Sequence, residues 1–399
     1  MENASPQPSL SEAQPSARFR LIYLDNLRTA LITSVVLGHL SVTYGADLDW
    51  YYYEGGTVSP LVYVLQLMIL AIGIGFAMGL FFMIAGYFTP SAYDRKGTER
   101  FLADRFKKLG ITWLVFEIVI NPLVHYAVDV HGGDCKGAFY ACQFQGTFWQ
   151  YLMEYPSNIG SIAASPLWFV EALLIFSVFY ALRRAVSRSA HWFTPSAAPG
   201  NGVIALFALA IGLVTFVMRF WVKAYVQYEP LHLEFARFPQ YIALFVAGVW
   251  AYRGNWLASF SDRQARTWHW VALACVVALP VITVPFGPTD ERLVGGVNGL
   301  SLAFSLWEGF LCVSMVITII TWFRRHWNHQ GRFARAMSES AFAVYVLQVP
   351  IIVPLALALS GIHMNLSLKF LIVAPIAVAL CYLVAYALRK VPIVRTILG

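Results

Sequence analysis

Charge is what this chain has least of. Asp, Glu, Lys and Arg make up 12% of its 399 residues, about half the share found in soluble domains. That excludes an ordinary water-soluble globule, whose surface needs more charge. Cysteine is sparse too, with five residues, and neither their spacing nor the placement of the histidines reads as a zinc site, so no metal is expected. There is no phosphate-cradling Walker loop, no GxSxG nucleophile elbow and no internal repeat. An ATP-driven pump or a hydrolase of that type therefore has no support. No charged segment followed by a short apolar run and a small-residue cleavage site precedes Arg18, so no cleavable signal peptide is expected.

Apolar residues are what the chain has in abundance. They form 59% of it, the mean hydropathy is +0.62, and they come in blocks of about 20, the length that crosses a hydrocarbon core of ~30 Å. The reading is an all-α polytopic transmembrane bundle with ten spans, roughly 22–44, 60–88, 109–128, 164–183, 202–221, 239–253, 267–286, 300–323, 337–358 and 368–388. Residues 1–17 read as a disordered cytoplasmic tail and 18–399 as one membrane domain. With a cytoplasmic N-terminus, only Lys136, Arg219, Lys223, Arg237, Arg292 and Lys369 of the 28 basic residues fall outside. This asymmetry predicts both termini inside and accounts for the net charge of +7 without a nucleic-acid partner. Cys135 and Cys142 share an outside segment, where a disulfide and two free thiols both remain open.

The stretch Tyr23–Tyr44 organises the rest. It is apolar, yet carries Asp25, Arg28 and His39. At ~100° per residue, Arg28 and His39, eleven residues apart, point nearly the same way, about 16 Å apart along the axis, and Asp25 falls on roughly the same face. Headgroup placement explains Asp25, near the helix start, and Arg28. It does not explain His39, and intramembrane ionisable groups usually face the bundle interior.

Other features take their place around this stripe. The second span contains Gly75 and Gly79 in GxxxG spacing, a packing signal, and ends in Phe81–Phe88, FFMIAGYF. The following loop carries Arg100, Arg105 and Lys108, which suit either anionic headgroups or a phosphate-bearing ligand. Glu171 follows Pro166-Leu-Trp-Phe169 at about the depth expected for His39. Glu117 and Glu308 lie in other spans, where each could pair with Arg28 or with protonated His39. The aromatic run Trp50–Tyr53 suits an interfacial belt, and an aromatic platform for sugars is the minority alternative. Pro350 should kink the ninth span.

In this order the motifs resemble the acyltransferase 3 family of integral membrane O-acyltransferases. The resemblance runs over about residues 18–358. It is carried by Tyr23-Leu-Asp-Asn-Leu-Arg28 with His39, by Phe81–Phe88, in part by Arg105–Lys108, by Leu167–Phe169, and in part by Tyr345–Gln348. The start and the AGYF ending are also similar to the periplasmic-glucan succinyltransferase branch. Two positions depart from the family pattern: Lys108 stands for a second Arg and Gln348 for a late His. Gln348 cannot carry a proton in catalysis.

The resemblance implies transfer of an acyl group from cytoplasmic acyl-CoA, with acetyl-CoA or succinyl-CoA as donor. The acceptor is a hydroxyl of a glycan or other envelope molecule, and the setting is a bacterial inner membrane. His39 is then expected as general base, Asp25, Arg28 and Glu171 as further catalytic candidates, and Arg100, Arg105 and Lys108 as ligands of the donor's phosphates. The rival class is a proton-coupled transporter or flippase using the Asp25/Arg28/His39 stripe.

Overall fold

The computed structural model describes residues 21–45, 50–131, 144–154, 165–187, 197–226, 228, 233–287 and 290–398. The expected tail and the Cys135–Cys142 segment lie outside these residues. Among the described residues the fold is all-helical, with a single isolated bridge between Tyr228 and Leu233 in place of any strand. Helices longer than four residues are numbered in chain order: α1 Ile22–Thr43, α2 Pro60–His131, α3 Phe148–Glu154, α4 Trp168–Val186, α5 Asn201–Met218, α6 Phe238–Arg253, α7 Asp262–Thr283, α8 Gly299–His326, α9 Arg332–Leu347, α10 Val349–Ala358, α11 Leu366–Leu388 and α12 Pro392–Leu398.

Five of these, α2, α5, α7, α8 and α11, are long and apolar enough to cross a membrane, and the bent pair α9–α10 makes a sixth. Helix α2 contains the second and third expected spans. Straight, its 72 residues would extend about 108 Å. Instead the backbone breaks at Gly97, at φ 70°, a conformation that glycine adopts without the penalty of a Cβ. The run then returns. Its end lies beside the segment that precedes its start, since Tyr51 hydrogen-bonds Asn121 and Tyr52 meets His131 edge-on at 6.3 Å.

The helices pack by bringing small residues together. A Cβ on Gly86 would stand 2.1 Å from the Phe245 carbonyl oxygen, and one on Gly248 would stand 2.1 Å from the carbonyl of Met83. Helices α2 and α6 therefore cross backbone to backbone at these two glycines. Gly75 and Gly79 serve the same end, facing Leu311 of α8 and Leu244 of α6 respectively. Phe82, fully buried, packs its ring among Phe169, Phe176 and Tyr241. The FFMIAGYF stretch thus helps build the core on both of its faces.

Pro350 acts as its chemistry requires. It lacks an N–H and its ring crowds the preceding turn, and the chain bends by 66° between α9 and α10. Gln348 is the residue at the bend.

Candidate functional site

Helix α1 carries the polar stripe as a series of bonded stations. Arg28 lies 3.8 Å from Asp25. One turn on, Thr33 exchanges a 2.9 Å hydrogen bond with Tyr382 of α11, whose hydroxyl also donates to the Thr29 carbonyl. His39 stands at the far end of the helix, half-buried within the bundle.

Two neighbours define the setting of His39. Its Nδ1 lies 3.1 Å from Oε1 of Gln348, and its ring stacks on Trp50 with centroids 4.1 Å apart and planes 19° apart. The amide of Gln348 is oriented by its own second contact, because Nε2 donates to the Tyr345 carbonyl at 3.2 Å. The oxygen therefore faces the imidazole. An amide oxygen only accepts, so Nδ1 carries the hydrogen and the lone pair is left on Nε2. That is the tautomer a general base needs.

From these two neighbours a circuit of contacts runs around the site and closes. Tyr345 donates its hydroxyl to the Pro166 carbonyl. The adjoining Ser165 donates to Glu117 Oε1, and Asn121 donates to Glu117 Oε2 at 2.9 Å. Tyr51 donates to Asn121, meets Trp50 edge-on at 5.2 Å, and lies 4.6 Å from the buried His125 ring. Trp50 returns the path to His39. Glu117 sits in a widened π turn, Phe116–Ile120, the kind of helix irregularity often found at functional sites. The circuit ties α1, the segment after it, α2, the start of α4 and the α9–α10 bend into one unit.

Glu171 is buried in the first turn of α4 and lies within electrostatic reach of Glu117. None of its described contacts is to His39, so it belongs to the Glu117 side of the site. Glu308 requires a correction. It pairs with neither Arg28 nor His39. Its Oε2 takes Arg219 and its Oε1 lies 3.2 Å from Arg237. Both arginines are buried, and Arg237 also pairs with Glu234 at 2.9 Å. Lys369 is buried as well, with Nζ 2.6 Å from Glu54 and bonded to the Leu359 and Ile362 carbonyls. Three basic residues that read as loop charges are therefore interior ion-pair partners.

The basic stretch after Gly97 is at the surface. Arg100 and Lys108 are exposed, Arg105 lies over the Phe101 ring at 5.1 Å, and Lys96 pairs with Asp104. No described contact links Arg100, Arg105 or Lys108 to the His39 circuit. Among the described residues no group of three or more His, Cys, Asp or Glu side chains could hold a metal ion.

Sequence reasoning missed Trp50, Tyr51, Asn121 and Ser165. The aromatic pair was visible in Trp50–Tyr53 but was assigned chiefly to an interfacial belt. The two small polar residues gave no signal of their own.

Comparison with known families decides the class. The family model for the acyltransferase domain, Acyl_transf_3, matches residues 21–388, nearly the whole chain. The chain belongs to the acyltransferase 3 family. Its matched region takes in α1, both halves of α2, the bend at Gln348 and α11, so the whole His39 circuit lies inside the acyltransferase domain. The protein is a membrane acyltransferase. Neither the curated proteins nor the solved structures contain a significant match to it.

Proposed function

We propose that this acyltransferase moves an acyl group, acetyl or succinyl, from cytoplasmic acyl-CoA to a hydroxyl of a glycan or other envelope acceptor at a bacterial inner membrane, with His39 as general base. The observation that carries the reading is the His39–Gln348–Tyr345 arrangement, which leaves Nε2 of the imidazole free to accept a proton. In the forward step the acceptor oxygen attacks the thioester carbonyl as its proton passes to Nε2. As the tetrahedral intermediate collapses, the C–S bond breaks and the same proton leaves with the thiolate. The imidazole ends neutral, so no external proton source is consumed.

Gln348 stands where the family pattern has a late histidine. It supplies an acceptor for Nδ1–H and so acts on the base rather than on the substrate. Glu171, on the Glu117 side of the site, carries a buried carboxylate oxygen with no hydrogen-bond partner among the described residues, suited to a sugar hydroxyl. The Asp25–Arg28 pair lies at the opposite end of α1, where the donor is taken to enter, and Arg100, Arg105 and Lys108 are assigned to its phosphates.

The test is a transfer assay with labelled acetyl-CoA and succinyl-CoA in native membrane vesicles that carry the cell's own acceptors. Label moving to envelope glycan with the wild-type protein, and not with His39→Ala, supports the reading. Full transfer by His39→Ala would sink it.

A further inference from the structure

A base alone does not complete an acyl transfer. As the hydroxyl attacks, the thioester carbonyl oxygen takes on negative charge, and an aimed N–H or O–H donor accelerates such steps by about 10²–10³. The hydrogen-bonding side chains of the circuit around His39 are already committed. The Gln348 amide donates to Tyr345, the Tyr345 hydroxyl to Pro166, the Tyr51 hydroxyl to Asn121 and the Ser165 hydroxyl to Glu117.

One donor beside the imidazole is not committed. The indole Nε1–H of Trp50 is buried and has no acceptor among the described residues, in a residue only 9% exposed. A buried N–H is normally satisfied, because leaving it bare forfeits its hydration with nothing in return. Simple packing against His39 would be met as well by phenylalanine, which brings no such cost.

The N–H is also not what holds Trp50 in place. Its neighbours do that: Tyr51 is bonded to Asn121, Tyr52 meets His131, and Glu54 is tied through its backbone to Thr43 and through its carboxylate to Lys369. The indole is thus presented to His39 by a pinned segment while its one polar atom is spare.

We infer that Trp50 is a catalytic residue whose Nε1–H is the oxyanion donor. This rests on the acyltransferase reading above. The acceptor oxygen forms its bond to the carbonyl carbon, the C=O π pair moves onto oxygen, and that oxygen accepts from Trp50 Nε1 while His39 Nε2 takes the hydroxyl proton. On collapse the pair re-forms C=O, the C–S bond breaks, and His39 returns the proton to sulfur. Trp50 keeps its own proton throughout.

Tyr44 is the alternative donor. Its hydroxyl is also buried without a partner among the described residues. Its ring, however, lies near the Lys369 ammonium, 5.8 Å away, and among the described contacts none joins it to His39.

The experiment replaces Trp50 with 3-benzothienylalanine, which keeps the fused ring and its stacking but has sulfur in place of N–H. Trp50→Phe serves as a second variant and Tyr44→Phe as the control. Each is assayed with labelled acetyl-CoA and succinyl-CoA in native vesicles after elution and melting as wild type. The assignment expects kcat to fall about 100-fold with the benzothienyl side chain and with Phe. It expects the apparent KM for acyl-CoA to stay within about threefold, and Tyr44→Phe to be unchanged. A benzothienyl variant turning over at the wild-type rate overturns it, as does a loss confined to KM. His39→Ala run alongside separates the two levels. If it is inactive while the benzothienyl variant is fully active, only the Trp50 role falls. If it is fully active, the acyltransfer mechanism itself falls.

Discussion

Gln348 Oε1 lies 3.1 Å from His39 Nδ1, and the same amide is held by the Tyr345 carbonyl three residues earlier. The base we propose is therefore oriented by a neutral amide where many hydrolytic sites use a carboxylate. This costs less inside a membrane than burying a second charge. An imidazolium formed there on the proposed mechanism would be met by the amide oxygen and by the face of Trp50, which attracts a cation.

The first expectation concerns His39 itself. His39→Ala removes the proposed proton acceptor while leaving the C-terminal end of α1 packed. Transfer should drop by roughly 10²–10⁴-fold, the usual contribution of a positioned general base. Turnover of labelled acyl-CoA by purified protein, together with an unchanged gel-filtration profile, checks it. The protein should still insert and fold.

Gln348 should behave differently. Gln348→Leu keeps the volume and removes the acceptor, so the imidazole loses its tautomer lock. A fall in kcat of about 10–100-fold is expected, the effect typical of groups that orient another side chain, with little change in donor KM. Gln348→His restores a ring nitrogen that can accept from Nδ1–H and should recover most of the loss. Equal activity of the Leu and Gln proteins would show that the amide does not position the base.

The two sides of the site were unequally legible in the sequence. The eleven-residue spacing from Arg28 to His39 is a helical periodicity, and the structure keeps both on α1. Pro350 announced the bend because its missing N–H acts locally. What the bend accomplishes was not legible, since it depends on Gln348 meeting a residue 309 positions away. The partners of Glu308 were left open for a related reason. Its partners Arg219 and Arg237 flank the ends of α5 and α6, so their charges resemble loop charges until the fold turns them inward. Trp50 was hidden by its company, because a run of four aromatics looks like an interface belt whichever ring does the chemistry.

The buried ion network sets a stability expectation. Glu308 bridges Arg219 and Arg237, and all three side chains are nearly inaccessible, at 3% or below. Glu308→Gln removes the anion and leaves two buried guanidinium groups facing a neutral amide. Breaking such a pair from one side costs about 3–5 kcal/mol. The thermal midpoint of the detergent-solubilised protein should fall by several degrees. Replacing all three residues with Met should recover much of that loss, because both buried guanidinium groups go with the anion and Glu234, which loses Arg237, is the one partner with a partly exposed side chain, at 20%. A Glu308→Gln protein melting like wild type would count against the network.

The last expectation separates two kinds of glycine in α2. At Gly86 a Cβ would lie 2.1 Å from the Phe245 carbonyl oxygen, inside any allowed contact, whereas at Gly97 nothing lies within 4 Å but φ is 70°. Gly86→Ala must push α2 and α6 apart, and overpacking of this kind costs about 1–3 kcal/mol. Gly97→Ala meets no neighbour and bears only the backbone penalty of a region, φ 70° and ψ 175°, that is essentially open to glycine alone, about 1–3 kcal/mol. Gly248→Ala loads the same crossing from the other side, so it should be less than additive with Gly86→Ala, since one separation of the helices relieves both clashes. It should be additive with Gly97→Ala, because the two strains share no contact. Melting temperatures of the three single and two double variants test this, and full additivity of Gly86→Ala with Gly248→Ala would mean that the two glycines do not form one crossing.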